Sequence, residues 1–426
     1  MTAGARILFG TSLLWIALSA VSDGVATLVL PVRLGADGRA GTAGALGVIT
    51  LVGLLAGMLV QPVIGSLSDR LRPRVGRRVF LGVGVALVVA ALAALAVADQ
   101  PLSIGAAFLG LSVALGVAQA PQQALMADLV PSAQRGRASG LKGLADLLGA
   151  TLAFAVLGSL LAEGDVRPAL VALALTIGVL FAGVILLLGR ARGALQAGPT
   201  ATTGSLGRTF AVDRSRDRPF LVAVGARFAF LFGTYAVGRF FVGYVADRRG
   251  LDVGPAAEAA GGILALLALS TAVASLPAGI LSDRYPRSTL MLVGAAFAAI
   301  GITTLGLAAH EWEMVLGGIA MAVGSALFGV ANWATLVDLA PASEAGRYLG
   351  LANFGTAGAA AAAGLLGPLV DAGQGVARGV GFLALFAAAL AATLLAGGLA
   401  AAIHRPTLPK VHSEPWSLEG SAHERP

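Results

Sequence analysis

Three charged residues stand well inside long apolar runs of this 426-residue chain: Asp23, Arg227 and Arg239. A charge near a bilayer centre costs ~2.5–3.5 kcal/mol on insertion scales, so each needs a partner or a task. A carboxylate in such a setting can take up and release a proton or a metal cation, or it can pair with an arginine. If the first helix begins near residue 7, Asp23 lies about 24 Å along it, somewhat beyond the midplane. Arg227 and Arg239 sit about 18 Å apart along one helix, and Arg239 is nearer the depth of Asp23. Depth therefore favours an Asp23–Arg239 pair, while outward snorkelling of Arg239 beside Arg248 and Arg249 is the alternative. Amides supply a second kind of chemistry: Gln119, Gln122 and Gln123 in one run, Asn332 with Trp333 in another. They could hydrogen-bond a polar solute or simply each other between helices, and Trp333 could stack on a sugar ring or any flat apolar face. Tyr235 falls at a position comparable with Asp23 and is a weaker candidate of the same kind.

Enzymatic chemistry has no foothold. There is no GxxxxGK[ST] phosphate loop and no HExxH helix, and the four histidines lie in gaps or in the tail. The absence of cysteine excludes disulfides and thiolate metal sites. No catalytic residue, cofactor or metal is expected.

These side chains are scarce because the chain is so apolar. The hydrophobic set makes up 57% of it, another 59 residues are glycine, and only 12% are charged. A soluble fold needs about twice that charge for its polar shell. Soluble enzymes, nucleic-acid binders and disordered scaffolds are thereby excluded, and the lipid bilayer becomes the expected surrounding. Twelve runs are long enough to span as helices: 7–32, 42–67, 79–98, 103–126, 143–162, 168–189, 219–246, 257–281, 288–308, 314–337, 348–370 and 379–402. None shows the strict alternation of an outer-membrane barrel strand. Arg6 before the first run and Ala17-Leu18-Ser19 within it resemble a signal peptide, but apolar character continues to Val32, and removing the run would break a repeat.

Basic residues orient the spans. With the N-terminus inside, twenty-one lysines and arginines lie on the cytoplasmic side against six outside, which are Arg33, Arg39, Arg167, Arg248, Arg249 and Arg378. The positive-inside rule then places both termini in the cytoplasm. The expected organisation is an N-terminal six-helix bundle over 1–189, a polar cytoplasmic linker over 190–218, a C-terminal bundle over 219–402, and a disordered tail over 403–426.

The two halves are copies. Ala124–Pro131 (ALMADLVP), followed by Gly136-Arg137 and Gly140-Leu141, recurs 210 residues later as Ala334–Pro341 (ATLVDLAP), Gly346-Arg347 and Gly350-Leu351. Gly65–Arg70 (GSLSDR) recurs 214 residues later as Gly279–Arg284 (GILSDR). Matching segments in the same orientation imply parallel repeats about an axis along the membrane normal. The expected fold is an all-α membrane protein with twelve transmembrane helices in two pseudo-symmetric six-helix bundles. Gln122 then corresponds to Asn332 and Gln123 to Trp333, which puts amides at matching depths in both halves.

The segment Gly65–Arg78 (GSLSDRLRPRVGRR) resembles the signature loop between helices 2 and 3 of the major facilitator superfamily. Its serine-aspartate-arginine core, the ending Gly76-Arg77-Arg78 and the upstream Pro62 are similar to the branch of sucrose and glycoside–cation symporters; Val79 departs from that branch. The resemblance implies helices 1, 4, 7 and 10 around a central cavity, Asp23 as a site of cation coupling, and Arg227 rather than Arg239 as the functional arginine. It also implies a cytoplasmic latch when the cavity opens outward, built from Gly65, Asp69, Arg70, Arg74, Gly76, Arg77, Arg78, Asp128 and Arg137. Asp283, Arg284, Asp338 and Arg347 would form a reduced copy. Physically, Asp69 can cap the positive N-terminus of a neighbouring helix, and the arginines can pair with carboxylates such as Asp128. Arg72 reads as topology anchoring. The function implied is secondary transport of a small solute, a sugar or glycoside by resemblance, by alternating access and driven by a proton or sodium ion. The expected location is the cytoplasmic membrane, as a monomer with no nucleic-acid partner. An exporter of amphipathic drugs or metabolites is the nearest alternative, and a non-transporting membrane assembly factor is a more distant one.

Overall fold

The computed structural model describes residues 3–35, 41–75, 77–129, 135–188, 217–341 and 345–403. For 3–9, 11, 69–70, 72–75, 77–78, 124–129, 135–140 and 345–347 it describes the backbone alone. Twelve helices are long and apolar enough to cross a membrane. We number them α1 (residues 3–33), α2 (Thr42–Val75), α3 (Arg77–Val97), α4 (Pro101–Leu129), α5 (Arg135–Leu160), α6 (Arg167–Leu188), α7 (Arg218–Arg249), α8 (Val253–Arg284), α9 (Arg287–Leu307), α10 (Glu311–Leu339), α11 (residues 345–376) and α12 (Val380–Ala401). They fall close to the expected runs. Helices are the economical answer in lipid because each satisfies its own backbone. Large apolar side chains such as Leu102, Leu186 and Val179 are exposed on the outer surface, where a lipid would cover them.

Two helices are interrupted in their middle. α1 widens into a π-helical turn over Val25–Val29, directly after Asp23, and α11 tightens into a 3-10 turn over Ala363–Leu366. π turns inside α-helices are frequent at functional sites. Pro121 lies inside α4 and removes the amide that Val117 would otherwise bond, beside the glutamine cluster.

Consecutive helices alternate direction, so residues 3 and 403 lie at the same end, called here the near end. Within the first half α1 packs on α5 and α6, and α4 on α2 and α3; within the second, α7 packs on α11 and α12, and α10 on α8 and α9. The halves meet chiefly where α2 lies against α11 and α5 against α8. Both crossings are closest at the far end and are made by glycine. A methyl group at Gly47 would overlap the backbone of Gly364, and one at Gly261 would stand 2.8 Å from the Cα of Gly158. Small residues let membrane helices approach until their backbones touch.

The duplication is visible in the caps. At the far end Arg33 of α1 donates through Nε to the Ala98 carbonyl after α3 (2.7 Å) and pairs with Asp99 (2.7 Å). In the second half Arg248 of α7 donates to the Ala308 carbonyl after α9 (2.6 Å), while Arg249 pairs with Glu311 at 3.3 Å. A cation at a helix C-terminus meets the negative end of the dipole and the last free carbonyls. Three of the six arginines expected outside thus hold equivalent helix ends in the two halves.

Candidate functional site

A cavity of about 580 Å³ lies between the halves, walled by α1, α2, α4, α5, α7, α8, α10 and α11. A smaller chamber joins it at Ser22, Leu54, Gln119 and Ala360. From Gln123 a further apolar groove runs toward the near end between α2, α4 and α11, lined by Met58, Leu59, Pro62, Val63, Leu351 and Phe354. At the far end the glycine crossings shut the way. There Asp371 of α11 accepts from the backbone amides of Gly41 (2.9 Å), Ala43 (3.1 Å) and Gly44 (2.6 Å) at the start of α2. A carboxylate from one half therefore caps a helix of the other, satisfying three of the free amides that every helix start presents.

The cavity is charged on one side and uncharged on the other. Asp23, on α1, accepts only a long bond from Ser19 Oγ (3.3 Å) among the described residues. It is within electrostatic reach of Asp146 and Arg239, yet forms no ion pair with either arginine of α7. Arg239 is 6% exposed; its terminal nitrogen donates to the Ala26 carbonyl in the π turn (3.4 Å), and its Nε–H has no acceptor among the described residues. On α5, Lys142 pairs with Asp146 at 2.8 Å, one helical turn apart, and its ammonium lies 4.1 Å above the ring of Trp15. The indole N–H of Trp15 is also buried without a partner among the described residues. Leu264, Leu267 and Ala268 of α8, with Met321 and Ala322 of α10, make the uncharged side, on which the hydroxyls of Thr271 and Ser325 bond to carbonyls of their own helices.

The sequence profile of the Major Facilitator Superfamily matches residues 7–267 and 250–422. The chain belongs to this superfamily. No curated protein sequence matches it. Solved structures share the fold at low identity. A peptide transporter of the POT family in complex with sulfate superposes with TM-score 0.70 at 15% identity, over 93% of this chain and 95% of its own. A bacterial homologue of the human lysosomal transporter spinster, inward-facing and unoccupied, gives 0.65 at 14% over 95% and 96%. A bacterial homologue of the iron transporter ferroportin, inward-facing, gives 0.66 at 18% over 94% and 98%. The protein is thus a secondary transporter of the superfamily by fold and profile. These likenesses single out no sugar branch.

Membership does not say which side chains meet a solute; the geometry does. Asp23, Gln119, Gln123, Tyr235 and Arg239 line the cavity. Gln119 Oε1 accepts from Gln61 of α2 (2.9 Å), which fixes one amide face. Gln122 and Asn332, expected as a symmetric pair facing the solute, are both fully buried instead. The Asn332 amide donates to the Ala223 carbonyl of α7 (3.0 Å) and acts as interhelical glue. Arg227 donates through Nε to Thr356 of α11 (2.7 Å), and its guanidinium lies 5.3 Å over the ring of Trp333. Trp333 is therefore covered by an arginine and does not line the cavity.

Lys142, Asp146, Trp15 and Ser19 were missed. The apolar run of this helix starts at 143, which leaves Lys142 outside it and Asp146 at its very start. In fact α5 begins at Arg135, so both stand two turns or more inside it and face the cavity. Their spacing of four, carboxylate after lysine, was the available signal of a helical pair.

At the near end, Asp338 takes its partner from α9. Arg287 binds the Asp338 carboxylate and donates to the Ala334 carbonyl (2.7 Å), an arrangement within the second half. Among the described residues Asp283 and Arg284 are exposed without an ion-pair partner, and Gly65 has open space beside it. The side chains of Asp69, Arg70, Arg74, Arg77, Arg78, Asp128, Arg137 and Arg347 lie outside the described ones, and Gly76 outside the described residues.

Proposed function

We propose that this protein is an ion-coupled transporter of a small polar solute that works by alternating access, drawn here with its cavity open to the cytoplasm. The arginine-rich near end, with both termini, is assigned to the cytoplasm by the positive-inside rule. Residues 1–189 and 219–402 are the two bodies that rock about the cavity, joined by 190–218. The observation that carries the reading is the position of Asp23: a carboxylate at the boundary of the halves, on the charged side of a cavity shut at one end, with its acceptor capacity largely unused. Such a group can load and release a proton or sodium ion as the halves rock, and its change of charge alters its pull on Arg239.

A one-ended cavity lined in part by charged groups also counts against a non-transporting assembly factor. The site lends the sugar assignment little support, because one face of Trp333 lies under Arg227 and one face of Trp15 under Lys142. Export of amphipathic compounds is the second reading, and the apolar groove between α2, α4 and α11 favours it. For the near-end latch, the 210-residue offset maps Arg287 and Asp338 onto Arg77 and Asp128, and we assign those two the same pairing in the first half.

The test is reconstitution into liposomes loaded with a pH-sensitive dye. Imposed gradients of polar solutes are expected to drive proton movement, or sodium movement in a parallel sodium-flux arm. Asp23→Asn should abolish the ion movement that those gradients drive. Unchanged ion flux in Asp23→Asn would remove the assignment.

A further inference from the structure

The charged side of the cavity holds two kinds of group. Lys142 and Asp146 answer each other at 2.8 Å, so this pair needs nothing from a solute. Asp23 and Arg239 do not. The first is a carboxylate with one long hydrogen bond; the second is a guanidinium whose Nε–H points to no acceptor among the described residues although the side chain is 94% buried by its 6% exposure. Orphaned buried donors are rare in folded proteins and ask for an explanation. The two groups belong to different halves. They are also close: Arg239 touches the carbonyl of Ala26, three residues and thus about 4.5 Å of helix rise from Asp23. The wall made by α8 and α10, with Leu264, Leu267 and Met321, carries no charge, and its two hydroxyls, Thr271 and Ser325, are spent on carbonyls of their own helices.

We propose that the solute is an amino-acid-like zwitterion: an ammonium group that sits on Asp23, a carboxylate a few bonds away that accepts from Arg239, and an apolar substituent that lies against α8 and α10. Such a molecule supplies the missing donor to one half and the missing acceptor to the other, so its binding ties the halves together. A singly charged analogue leaves one of the two charges buried and unanswered, which costs far more than a lost surface contact. A neutral sugar leaves both unanswered. This inference rests on the transporter reading for its meaning, but binding can be measured without transport.

The experiment uses the full purified chain and five probes: leucine and leucyl-leucine as zwitterions, leucinamide as the cation, N-acetyl-leucine as the anion, and sucrose. Equilibrium binding and the ligand-induced shift in unfolding temperature are read for each. The zwitterions should bind at least about tenfold more tightly than either singly charged analogue, the size expected from one lost charge-assisted bond. The variants carry the diagnostic. Asp23→Asn should erase the difference between leucine and N-acetyl-leucine, and Arg239→Gln the difference between leucine and leucinamide. If Arg239→Gln does not fold, Arg239→Lys, which keeps the charge but loses the Nε–H, should weaken leucine and N-acetyl-leucine together and leave leucinamide unchanged. Neither zwitterion binding, equal binding of the analogues, or the same preferences in both variants would overturn the proposal. Ion-coupled flux of sucrose without zwitterion binding would sink this inference and leave the transporter standing. Zwitterion binding with no ion-coupled flux of any solute would do the reverse.

Discussion

Asp371 holds the far end shut, and removing it should open the molecule there. Its carboxylate belongs to α11 and its three amide partners to the start of α2, so the bonds exist only while the halves touch at that end. In Asp371→Ala those amides lose their acceptor. The site is half-buried, so water can replace part of the loss and the cost stays within the range of a helix cap, ~0.5–2 kcal/mol. The charge also faces the positive end of the α2 dipole, worth ~0.3–1 kcal/mol more. A combined ~1–3 kcal/mol shifts the ratio of far-end-closed to far-end-open molecules by about 5–150-fold. Asp371→Asn keeps one acceptor oxygen and should shift it less. Spin labels on Leu102→Cys and Trp312→Cys, exposed at the far-end starts of α4 and α10, would report the change as a longer inter-label distance. The chain has no cysteine of its own, so no background label interferes. A lower unfolding temperature with an unchanged distance distribution would refute the reasoning, because the cap would then stabilise α2 without holding the halves.

Gly261→Leu should force α5 and α8 apart and lengthen the same inter-label distance, since packing there is backbone to backbone and overpacking costs ~1–3 kcal/mol. Gly262→Leu, one residue on and with open space beside it, is the control; equal behaviour of the two would dismiss the crossing as a determinant of closure. Asn332→Leu should lower stability by ~1 kcal/mol, the scale of an interhelical hydrogen bond in a membrane protein, while leaving solute preference intact. A changed preference at unchanged stability would mean that Asn332 reaches the solute in another state.

Much of the architecture was legible because it is written in composition. Twelve apolar runs, a 210-residue repeat and the Gly65–Arg78 signature led to the fold, and the helices begin and end close to where the runs do. The site was legible in part. Asp23 and Arg239 stood out as charges too costly to be idle, and both line the cavity. Gln122 and Gln123 show the limit. They are neighbours in sequence, but successive residues of a helix point about 100° apart. One is fully buried and the other faces the cavity, and nothing in their types distinguishes them. Lys142 and Asp146 were misplaced for a different reason: apolar content marks where a span becomes hydrophobic, whereas α5 starts two turns earlier, in residues that read as loop.

The sequence by itself determined that the chain spans a membrane twelve times, that it is duplicated, and that a handful of charges lie at depth. Those properties follow from the cost of exposing polar groups to lipid, which acts on each segment separately. Only the tertiary structure decided which way each helix is turned. In a soluble helix the apolar stripe announces the buried face, but here both the lipid side and the packed side are apolar, so the pattern carries no direction. That rotation is what leaves Asp23 and Arg239 close together on the cavity wall, seats Asn332 on a backbone carbonyl, and brings Asp371 to the amides of a helix more than three hundred residues away.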